Sequence, residues 1–533
     1  MAPYTTPEQL DVAYSTLQET FKSNKTKSLA WRKWQLKQLW WMMCDNEEAV
    51  VKALHADLNR HDFESYYADV AAVKRDILFH VKNVEKWAAD EVPDAGFLFG
   101  TVCGARIRKE PLGVALVIGT WNFPFAVTLS PLMAAISAGC CVMVKPAESS
   151  ASCQDLMADM IPKYLDNSAI QVVTGGPQET SLLLERRFNH IFYTGSPKVA
   201  KIIQAAAAKH LTPTVLELGG QAPCIVTPSA DIDVAAKRIM FSKYLNAGQI
   251  CLSSNHVFVD PSVHDKFVER ATYWIGHYLK DGGKDSVTHI INERNYDRLV
   301  GLLEQSKGHV AYGGTTDRST KYIQPTIIKD ITMTDSLMSE EIFGPLLPVM
   351  ATPYQKACKI TQTLEHALGL YIFSTKQHEI DYILSHTSSG GVTINEVMMH
   401  AGVPNAPFGG VGNSGTGSYH GRYGFDAFTH DRTVVSVPGW FDRLLGFRYP
   451  PYDVKHIDKV TVKTAPFKRG EGIEDQIVGS TAASRAKGVL GTVGKWGAVA
   501  VLLALVDAKM GGQPRLLEVL RNGMGGVRSR LPL

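Results

Sequence analysis

The spacing of apolar residues divides the chain into a helical N-terminal part and a longer part in which strands and helices alternate. Residues 7–92 predict helices, because apolar residues recur there at helical spacing, for example in 28–57 and 67–89. Between 106 and 218, short apolar runs predict strands and the longer stretches predict helices. The strands are expected at 114–118, 141–144, 170–173 and 190–193, and the helices at 130–138, 152–164 and 197–209.

This alternation is typical of a parallel sheet with helices on both faces, so the fold class is predicted to be α/β. A second α/β stretch runs from about 223 to 393, and a Gly-rich segment follows at 408–424. The pattern is lost after about residue 446. Pro450, Pro451 and a polar run at 468–487 indicate a linker there.

The C-terminal segment 489–506 is apolar except for Thr492 and Lys495. A helix that spans a bilayer needs about 20 apolar residues, so this segment is marginal in length. Basic residues that suit anionic headgroups follow it, namely Lys509, Arg515, Arg521, Arg528 and Arg530. We expect a membrane anchor that spans the membrane or lies on it; the alternative is a buried helix packed on the body.

Composition and charge narrow the class of protein. The 533 residues are 45% hydrophobic and 20% charged, which is ordinary for a globular chain of two or three domains. A net charge of +3 gives no indication of nucleic-acid binding. The eight cysteines form no CxxC pair and no zinc spacing, so we expect reduced thiols, no metal site and a cytosol-facing protein. The N-terminus predicts no secretory signal.

Cys251 ends the segment Asn246-Ala247-Gly248-Gln249-Ile250-Cys251. A cysteine nucleophile has to sit at a turn where its thiolate can reach the substrate, and a glycine lets the backbone approach a ligand. A lone cysteine among apolar neighbours is more often a packed core residue, so the segment alone leaves both readings open. Cys224 is expected to be strand-borne and buried, without a chemical role.

Two further segments place polar side chains at predicted strand ends. Glu217, flanked by leucines and followed by two glycines, is expected to end a buried strand, where a raised pKa would suit a general base. A salt-bridged carboxylate is the alternative. Asn122, in Thr120-Trp121-Asn122-Phe123-Pro124, follows the strand at 114–118 and could direct its amide N–H at a developing oxyanion. An ordinary turn is the alternative there.

Ligand-binding positions are also expected beyond the strands at 141–144 and 190–193. Lys145 and Glu148 lie where open α/β sheets bind ligands, and they suit ribose hydroxyls or phosphate. Gly195 and Ser196 precede a helix whose first N–H groups could meet a pyrophosphate.

The segments WNFP, KPAE, YTGS, LELGG, GQIC and EEIFGP occur in this order, and the series resembles that of the aldehyde dehydrogenase superfamily. The later segments at 407–415 and 417–421 resemble its class 3 branch, which includes fatty aldehyde dehydrogenases. The resemblance covers roughly residues 7–445. It implies Cys251 as nucleophile, Glu217 as base, Asn122 as oxyanion donor, and a homodimer. It also implies that Trp121 binds the coenzyme and that Glu341 and Phe343 hold the nicotinamide ribose and ring. The carboxylate of Glu148 near the ribose would repel a 2′-phosphate, so NAD is the expected coenzyme, and the resemblance leaves NADP possible.

The resemblance further implies two doubly wound parallel domains, a small oligomerisation β element and an apolar tail. The expected boundaries are 1–217 for the coenzyme-binding domain, with a β-hairpin near 98–111; 218–395 for the catalytic domain; 396–445 for a return and oligomerisation segment; 446–488 for a linker; and 489–533 for the membrane-associated tail. Residues 410–415 match GxGxxG, but they lie too late in the chain for a Rossmann fingerprint. We interpret them as a loop near the active site or a subunit contact.

The substrate is left open between several aldehydes. An apolar tail favours aldehydes that partition into lipid. The chain is similar to fungal class 3 enzymes with such tails, which favours apocarotenals, as in neurosporaxanthin synthesis; fatty aldehydes are the first alternative and aromatic aldehydes the second. A membrane-tethered pseudoenzyme scaffold is the alternative of another class, and the intact Cys251, Glu217 and Asn122 argue against it.

Overall fold

The computed structural model describes residues 3–283, 285–467 and 469–476. The chain divides into a large unit, Met1–Pro438, and a C-terminal unit that begins at Gly439. The apolar tail at 489–533 and the anchor predicted for it lie outside the described residues. Among the described residues, no helix is both long and apolar enough to cross a membrane.

The helices and strands of the large unit follow one another much as the apolar pattern predicts. The helices are α1 (Pro7–Lys22), α2 (Leu29–Asp45), α3 (Glu47–Leu58), α4 (Asp62–Ser65), α5 (Ala71–Ala88), α6 (Pro124–Ala138), α7 (Ala151–Tyr164), α8 (Pro177–Leu184), α9 (Pro197–Ala208), α10 (Ile232–Tyr244), α11 (His264–Tyr278), α12 (Glu293–Gln305), α13 (Tyr354–Thr361), α14 (Gln377–His386) and α15 (Gly421–Ala427). The strands are β1 (Arg106–Pro111), β2 (Val114–Ile118), β3 (Cys141–Lys145), β4 (Ile170–Val172), β5 (His190–Thr194), β6 (Thr214–Glu217), β7 (Pro223–Val226), β8 (His256–Val259), β9 (His309–Tyr312), β10 (Thr316–Asp317), β11 (Tyr322–Ile323), β12 (Thr326–Lys329), β13 (Leu346–Ala351), β14 (Gly369–Phe373), β15 (Gly391–Ile394), β16 (Gly415–Thr416) and β17 (Thr429–Val434).

The first sheet has six strands in the order β16-β6-β5-β2-β3-β4. All neighbours are parallel except β16, which runs antiparallel to β6. Strands β2, β3 and β5 are buried along their whole length. Continuous apolar runs of this kind form because helices cover both faces of a parallel sheet.

The second sheet has seven strands in the order β15-β14-β7-β8-β13-β12-β9. It is parallel except for β9, which pairs antiparallel with β12. Cys224 lies in β7 and is fully buried, as expected. The fold is therefore α/β with two mostly parallel sheets, which confirms the predicted class.

The β-hairpin expected near 98–111 is wrong. Gly96–Val102 forms a helical turn, and β1 pairs antiparallel with β17, far along the chain. Lys109 of β1, almost fully buried, forms an ion pair with Asp431 of β17 at 2.7 Å. The side-chain pattern of a strand identifies its two faces but not its partner, so the long-range pairing was not visible in the local sequence.

Helix α6 begins six residues before the predicted start at 130. Pro124 occupies its first turn, where the fixed φ of proline is favourable and its missing N–H costs nothing. The helix ends at Gly139, whose φ of +92° forms a left-handed cap. This early start matters because it places the N-terminus of α6 directly after the segment containing Asn122.

The C-terminal unit, as far as residue 476, consists of short helical turns. Its two α-helical turns are α16 (Asp442–Leu445) and α17 (Ile457–Val460). Most of its residues from Arg448 to Gln476 are exposed.

Candidate active site

A cavity of about 890 Å³ collects residues from the carboxyl ends of three neighbouring strands of the first sheet. The residues that follow β2 contribute Trp121 and Asn122, those that follow β5 contribute Gly195 and Ser196, and β6 contributes Glu217. Cys251, Glu341 and Phe343 line the same cavity. Eight of the ten predicted site residues therefore share one space, as expected for ligand binding at the carboxyl edge of an open sheet.

Cys251 lies in the loop between α10 and β8 and is partly exposed to the cavity. The loop is tightly turned, since Asn246, Ala247 and Gly248 all have positive φ, at 50°, 50° and 67°. A Cβ on Gly248 would lie 2.4 Å from the carbonyl oxygen of Gly344. Only glycine fits here, so the Cys251 loop and the loop of Glu341 and Phe343 are held in close contact.

The surroundings of Cys251 keep its thiol protonated at neutral pH. Burial, followed by the negative charges of Glu341 and Glu217, raises its pKa to about 12. The backbone N–H groups of Cys251 and Leu252 oppose this and lower the pKa. Two carboxylates and two N–H donors therefore act electrostatically on the same sulfur.

Glu217 is the last residue of β6, as the sequence predicts, and its side chain is 2% exposed. Burial raises its pKa well above the usual range. Both carboxyl oxygens are buried and have no hydrogen-bond partner among the described residues. A buried carboxyl group without a protein partner is costly, and it fits a base that takes a proton from a water molecule or a substrate.

Asn122 follows β2 and is 3% exposed. Its amide Nδ2 donates to the carbonyl oxygen of Gln249 at 3.1 Å, two residues before Cys251. Since a side-chain amide carries two N–H groups, this bond fixes the amide and leaves the second N–H for another acceptor. The arrangement suits an oxyanion donor whose position is tied to the loop of the nucleophile.

A second part of the cavity has the features of a dinucleotide site. Ser196 caps α9 by accepting a hydrogen bond from Val199 N, so the helix presents its N-terminal end there. A Cβ at Gly195 would lie 2.1 Å from the hydroxyl of Tyr193, and one at Gly219 would lie 2.4 Å from Glu341 Oε1. Only glycine fits at either position, because Tyr193 and Glu341 occupy the space of a side chain.

Three of the residues expected to bind the coenzyme line the same part of the cavity, namely Trp121, Glu341 and Phe343. The rings of Trp121 and Phe343 meet edge to face at 5.4 Å. Burial raises the pKa of Glu341 to about 7, while the Gly220 N–H, Arg298 and Lys243 lower it. The residues present therefore fit a nicotinamide dinucleotide.

Lys145 and Glu148 do not line the cavity. They lie at and just beyond the carboxyl end of β3 and form an ion pair with 2.9 Å between Lys145 Nζ and Glu148 Oε2. Lys145 is buried, whereas Glu148 is about one-third exposed. Glu148 also contributes, after burial, to a raised pKa of Tyr193, so its charge acts on the edge near Ser196.

The sequence analysis did not identify the aromatic wall of the cavity. Phe408, Tyr419 and His420 line it, and the rings of Phe408 and His420 stack at 4.9 Å. Burial lowers the pKa of His420 to about 4, so its ring is neutral at neutral pH. These residues flank the loop 410–415, which is expected near the active site or at a subunit contact. Strand β16 of the Gly-rich segment pairs with β6 beside Glu217.

Exposed apolar side chains lie at the entrance of the cavity. Tyr67, Phe241 and Met399 line the cavity and are 48%, 39% and 61% exposed, so they mark its opening. Phe63 stacks on Tyr67 with 6.4 Å between the ring centroids and is itself highly exposed. An apolar chain that leaves the cavity would meet these side chains first.

Known proteins resemble this chain over most of its length. Residues 1–434 match the model of the family described as "Aldehyde dehydrogenase family". The dog protein "Aldehyde dehydrogenase, dimeric NADP-preferring" is 43% identical over 81% of this chain and 95% of its own length. The "Aldehyde dehydrogenase family 3 member A2" of rat is 40% identical, over 82% and 90%. The "Beta-apo-4'-carotenal oxygenase" of Neurospora crassa is 40% identical, over 85% and 86%.

Solved structures share the fold. The substrate-bound state of Staphylococcus aureus AldH superposes with a TM-score of 0.78 at 31% identity, over 82% of this chain and 99% of that chain. The similarity in sequence and in structure therefore covers the part of the chain that forms both sheets and the cavity.

Proposed function

Because the chain belongs to the aldehyde dehydrogenase family, we propose that it oxidises a long apolar aldehyde to the carboxylic acid through a thioester on Cys251. The observation that carries this proposal is the cavity that holds Cys251 together with Glu217, whose two buried carboxyl oxygens have no hydrogen-bond partner in the described part of the chain. A nucleophile and a free base in one enclosed space are the minimum for acyl transfer to water.

The Cys251 thiol first gives its proton to solvent water, and the thiolate then attacks the aldehyde carbon and forms a hemithioacetal whose oxygen carries the negative charge. The second N–H of Asn122 and the backbone N–H of Cys251 stabilise the negative charge on the oxygen. Trp121, Ser196, Glu341 and Phe343 would hold a nicotinamide dinucleotide, which would supply the hydride acceptor. Loss of a hydride from the hemithioacetal carbon leaves a thioester on Cys251. Glu217 then takes a proton from water, the hydroxide adds to the thioester carbon, and the acid leaves with Cys251 restored.

For the coenzyme we propose NAD in preference to NADP. Glu148 is partly exposed at the edge of the sheet that carries Ser196, and its carboxylate would repel a 2′-phosphate. The ion pair with Lys145 reduces that repulsion without removing it. Relatives at about 40% identity include proteins whose names state a preference for NADP, so the ratio of the two activities is the quantity to measure.

For the substrate, the size of the cavity and the exposed apolar side chains of Tyr67, Phe241 and Met399 at its entrance support an aldehyde with a long apolar chain. The similarity to the carotenal oxygenase of Neurospora crassa favours an apocarotenal. A fatty aldehyde is the alternative, because segments 407–415 and 417–421 resemble the class 3 branch.

A substrate panel tests the proposed function. The kcat/KM values of propanal, decanal, benzaldehyde and a β-apocarotenal are compared with NAD and with NADP, using Cys251→Ala as the blank. We expect the apocarotenal and decanal to exceed propanal by about tenfold or more, since each buried CH₂ contributes about 0.8 kcal/mol. Met399→Glu, at the exposed entrance, should remove most of that difference while leaving propanal unchanged. Equal values for all four aldehydes would exclude a long-chain preference.

The chain is also proposed to act at a membrane, as a homodimer. Residues 489–533 are rich in apolar and basic residues, which supports contact with a membrane. The dog relative is named as a dimeric protein, which supports a homodimer. Deletion of the residues after Lys487 should move the protein from the membrane pellet to the supernatant without loss of activity on propanal. Continued pelleting of an active truncated protein would place the membrane contact elsewhere.

A further inference from the structure

Arg60 is a fully buried cation beneath the candidate active site. Its side chain is 0% exposed and forms an ion pair with Asp69, equally buried, at 2.6 Å. Its Cζ lies 4.8 Å from the centre of the Phe123 ring. Neither Arg60 nor Asp69 lines the cavity. Neither of them belongs to a segment in which the sequence indicates a chemical role. A buried ion pair contributes little net stability, so its presence beside a functional loop needs another reason.

The guanidinium of Arg60 connects the two loops that carry the chemistry. Its Nη2 donates to the backbone carbonyl of Asn122. Its Nε and Nη2 donate to the side-chain oxygen of Asn246, at 3.2 and 2.7 Å. One planar group therefore fixes the backbone of the oxyanion donor and a side chain five residues before the nucleophile.

Asn246 completes the connection. Its Nδ2 donates to the carbonyl oxygens of Asn122 and Gln249, each at 3.0 Å. Asn122 Nδ2 donates to the same oxygen of Gln249. Asn246 itself has a φ of 50°, so its left-handed backbone has to be held by its surroundings.

Two carboxylates of the N-terminal helical region, those of Asp69 and Glu64, accept hydrogen bonds from the Cys251 loop and from the start of α6. Asp69 accepts a hydrogen bond from Ala126 N at 2.8 Å, in the first turn of α6. Glu64 accepts from Asn246 N at 3.0 Å and from Thr288 at 3.2 Å. The segment from Arg60 to Asp69 thus contacts the Asn122 loop, the start of α6 and the Cys251 loop.

We infer that Arg60, oriented by Asp69, is a positioning residue that sets the amide of Asn122 against Cys251 for the reaction. This inference rests on the proposed function, because Arg60 would fix the position of the groups that stabilise the oxyanion of that reaction. Arg60 touches neither substrate nor coenzyme; its effect passes through Asn122 and Asn246.

Three variants of the full-length protein test the inference. Arg60→Met removes the hydrogen bonds to Asn122 and Asn246. It leaves the buried carboxylate of Asp69 without its ion-pair partner. The double variant Arg60→Met/Asp69→Asn removes the unpaired charge and keeps a side-chain acceptor for Ala126 N, so it should regain stability. Arg32→Met is the matched control, because Arg32 is also buried and donates to three backbone carbonyls, those of Thr26, Lys27 and Ser137, away from the site.

The expected result is a kcat for decanal lowered about 100-fold in both Arg60 variants, with the Kd of NAD unchanged. The double variant should unfold at a temperature near that of the wild type and still show the low kcat. Arg32→Met should lose thermal stability and keep its kcat. Recovery of both stability and kcat in the double variant would reduce Arg60 to a folding role and overturn the inference. An inactive wild type would instead contradict the proposed function, so the two failures are distinguishable.

Discussion

Gly248 packs directly against the carbonyl oxygen of Gly344, so closely that a Cβ atom at Gly248 would lie 2.4 Å from that oxygen. This contact joins the loop of the nucleophile to the loop that carries Glu341 and Phe343. With a φ of 67°, Gly248 also holds a backbone conformation that other residues adopt only at a cost. The contact therefore sets the distance between the thiol and the coenzyme end of the cavity.

Replacement of Gly248 by Ala should lower both stability and activity. The left-handed backbone alone costs about 1–3 kcal/mol for a residue with a side chain, and the contact with Gly344 forces one loop to move. We expect a lower denaturation midpoint and a reduced kcat for decanal. Gly301→Ala is the control: it lies within α12, its nearest neighbour would be a flexible Gln305 side chain at 3.8 Å, and alanine favours a helix. Equal behaviour of the two variants would contradict the role given to this contact.

The electrostatics of Cys251 predict how its reactivity depends on pH. With a pKa near 12, the thiol of the free enzyme is protonated at neutral pH, and its alkylation by iodoacetamide should accelerate continuously as the pH rises. Glu217→Gln removes one of the negative charges that raise this pKa, so its alkylation should be faster at each alkaline pH.

The same Glu217→Gln variant should turn over about 10²- to 10⁴-fold more slowly, because it lacks the base. The alkylation is followed by mass spectrometry of the peptide that contains Cys251. Glu293→Gln provides the control, since Glu293 is exposed, pairs with Arg318 at 2.9 Å and does not line the cavity. A profile unchanged by Glu217→Gln would show that the two side chains do not interact.

Glu148 predicts the choice of coenzyme. Glu148→Gln removes the carboxylate and leaves the Lys145 cation unpaired. The kcat/KM for NADP should rise relative to NAD by about tenfold, since charges about 4 Å apart interact by about 1–4 kcal/mol near a surface. Initial rates with each coenzyme at saturating decanal measure the ratio. A ratio that does not change would place the 2′-hydroxyl of the ribose away from Glu148.

Much of the fold and the chemical centre could be predicted from the sequence because their signals are local. The apolar run at 114–118 is a strand with those same ends, and the strand that ends at Glu217 was identified from its leucines and glycines. Parallel strands place their carboxyl ends at one edge, so polar residues after neighbouring strands had to meet. Trp121, Asn122, Gly195, Ser196 and Glu217 follow that rule.

What the sequence did not predict depends on contacts between distant segments. The partner of β1 is β17, and the local sequence of neither strand identifies the other as its partner. Arg60 looks like an ordinary surface residue beside Asn59 and His61, yet it is fully buried because Asp69 and Asn246 supply its acceptors. The aromatic wall at Phe408 and Tyr419 likewise reaches the cavity only because β16 pairs with β6.

The most direct test of the account is to trap the thioester. Glu217→Gln should accept an acyl group from decanal in the presence of NAD and release it slowly, because Cys251 is intact and the base is missing. Rapid acid quenching followed by peptide mass spectrometry should show a decanoyl group on Cys251, together with a burst of NADH equal to the amount of enzyme. The account predicts no adduct on Cys224, which is buried in β7. A burst of NADH without an acyl group on Cys251, or an acyl group on another cysteine, would contradict it.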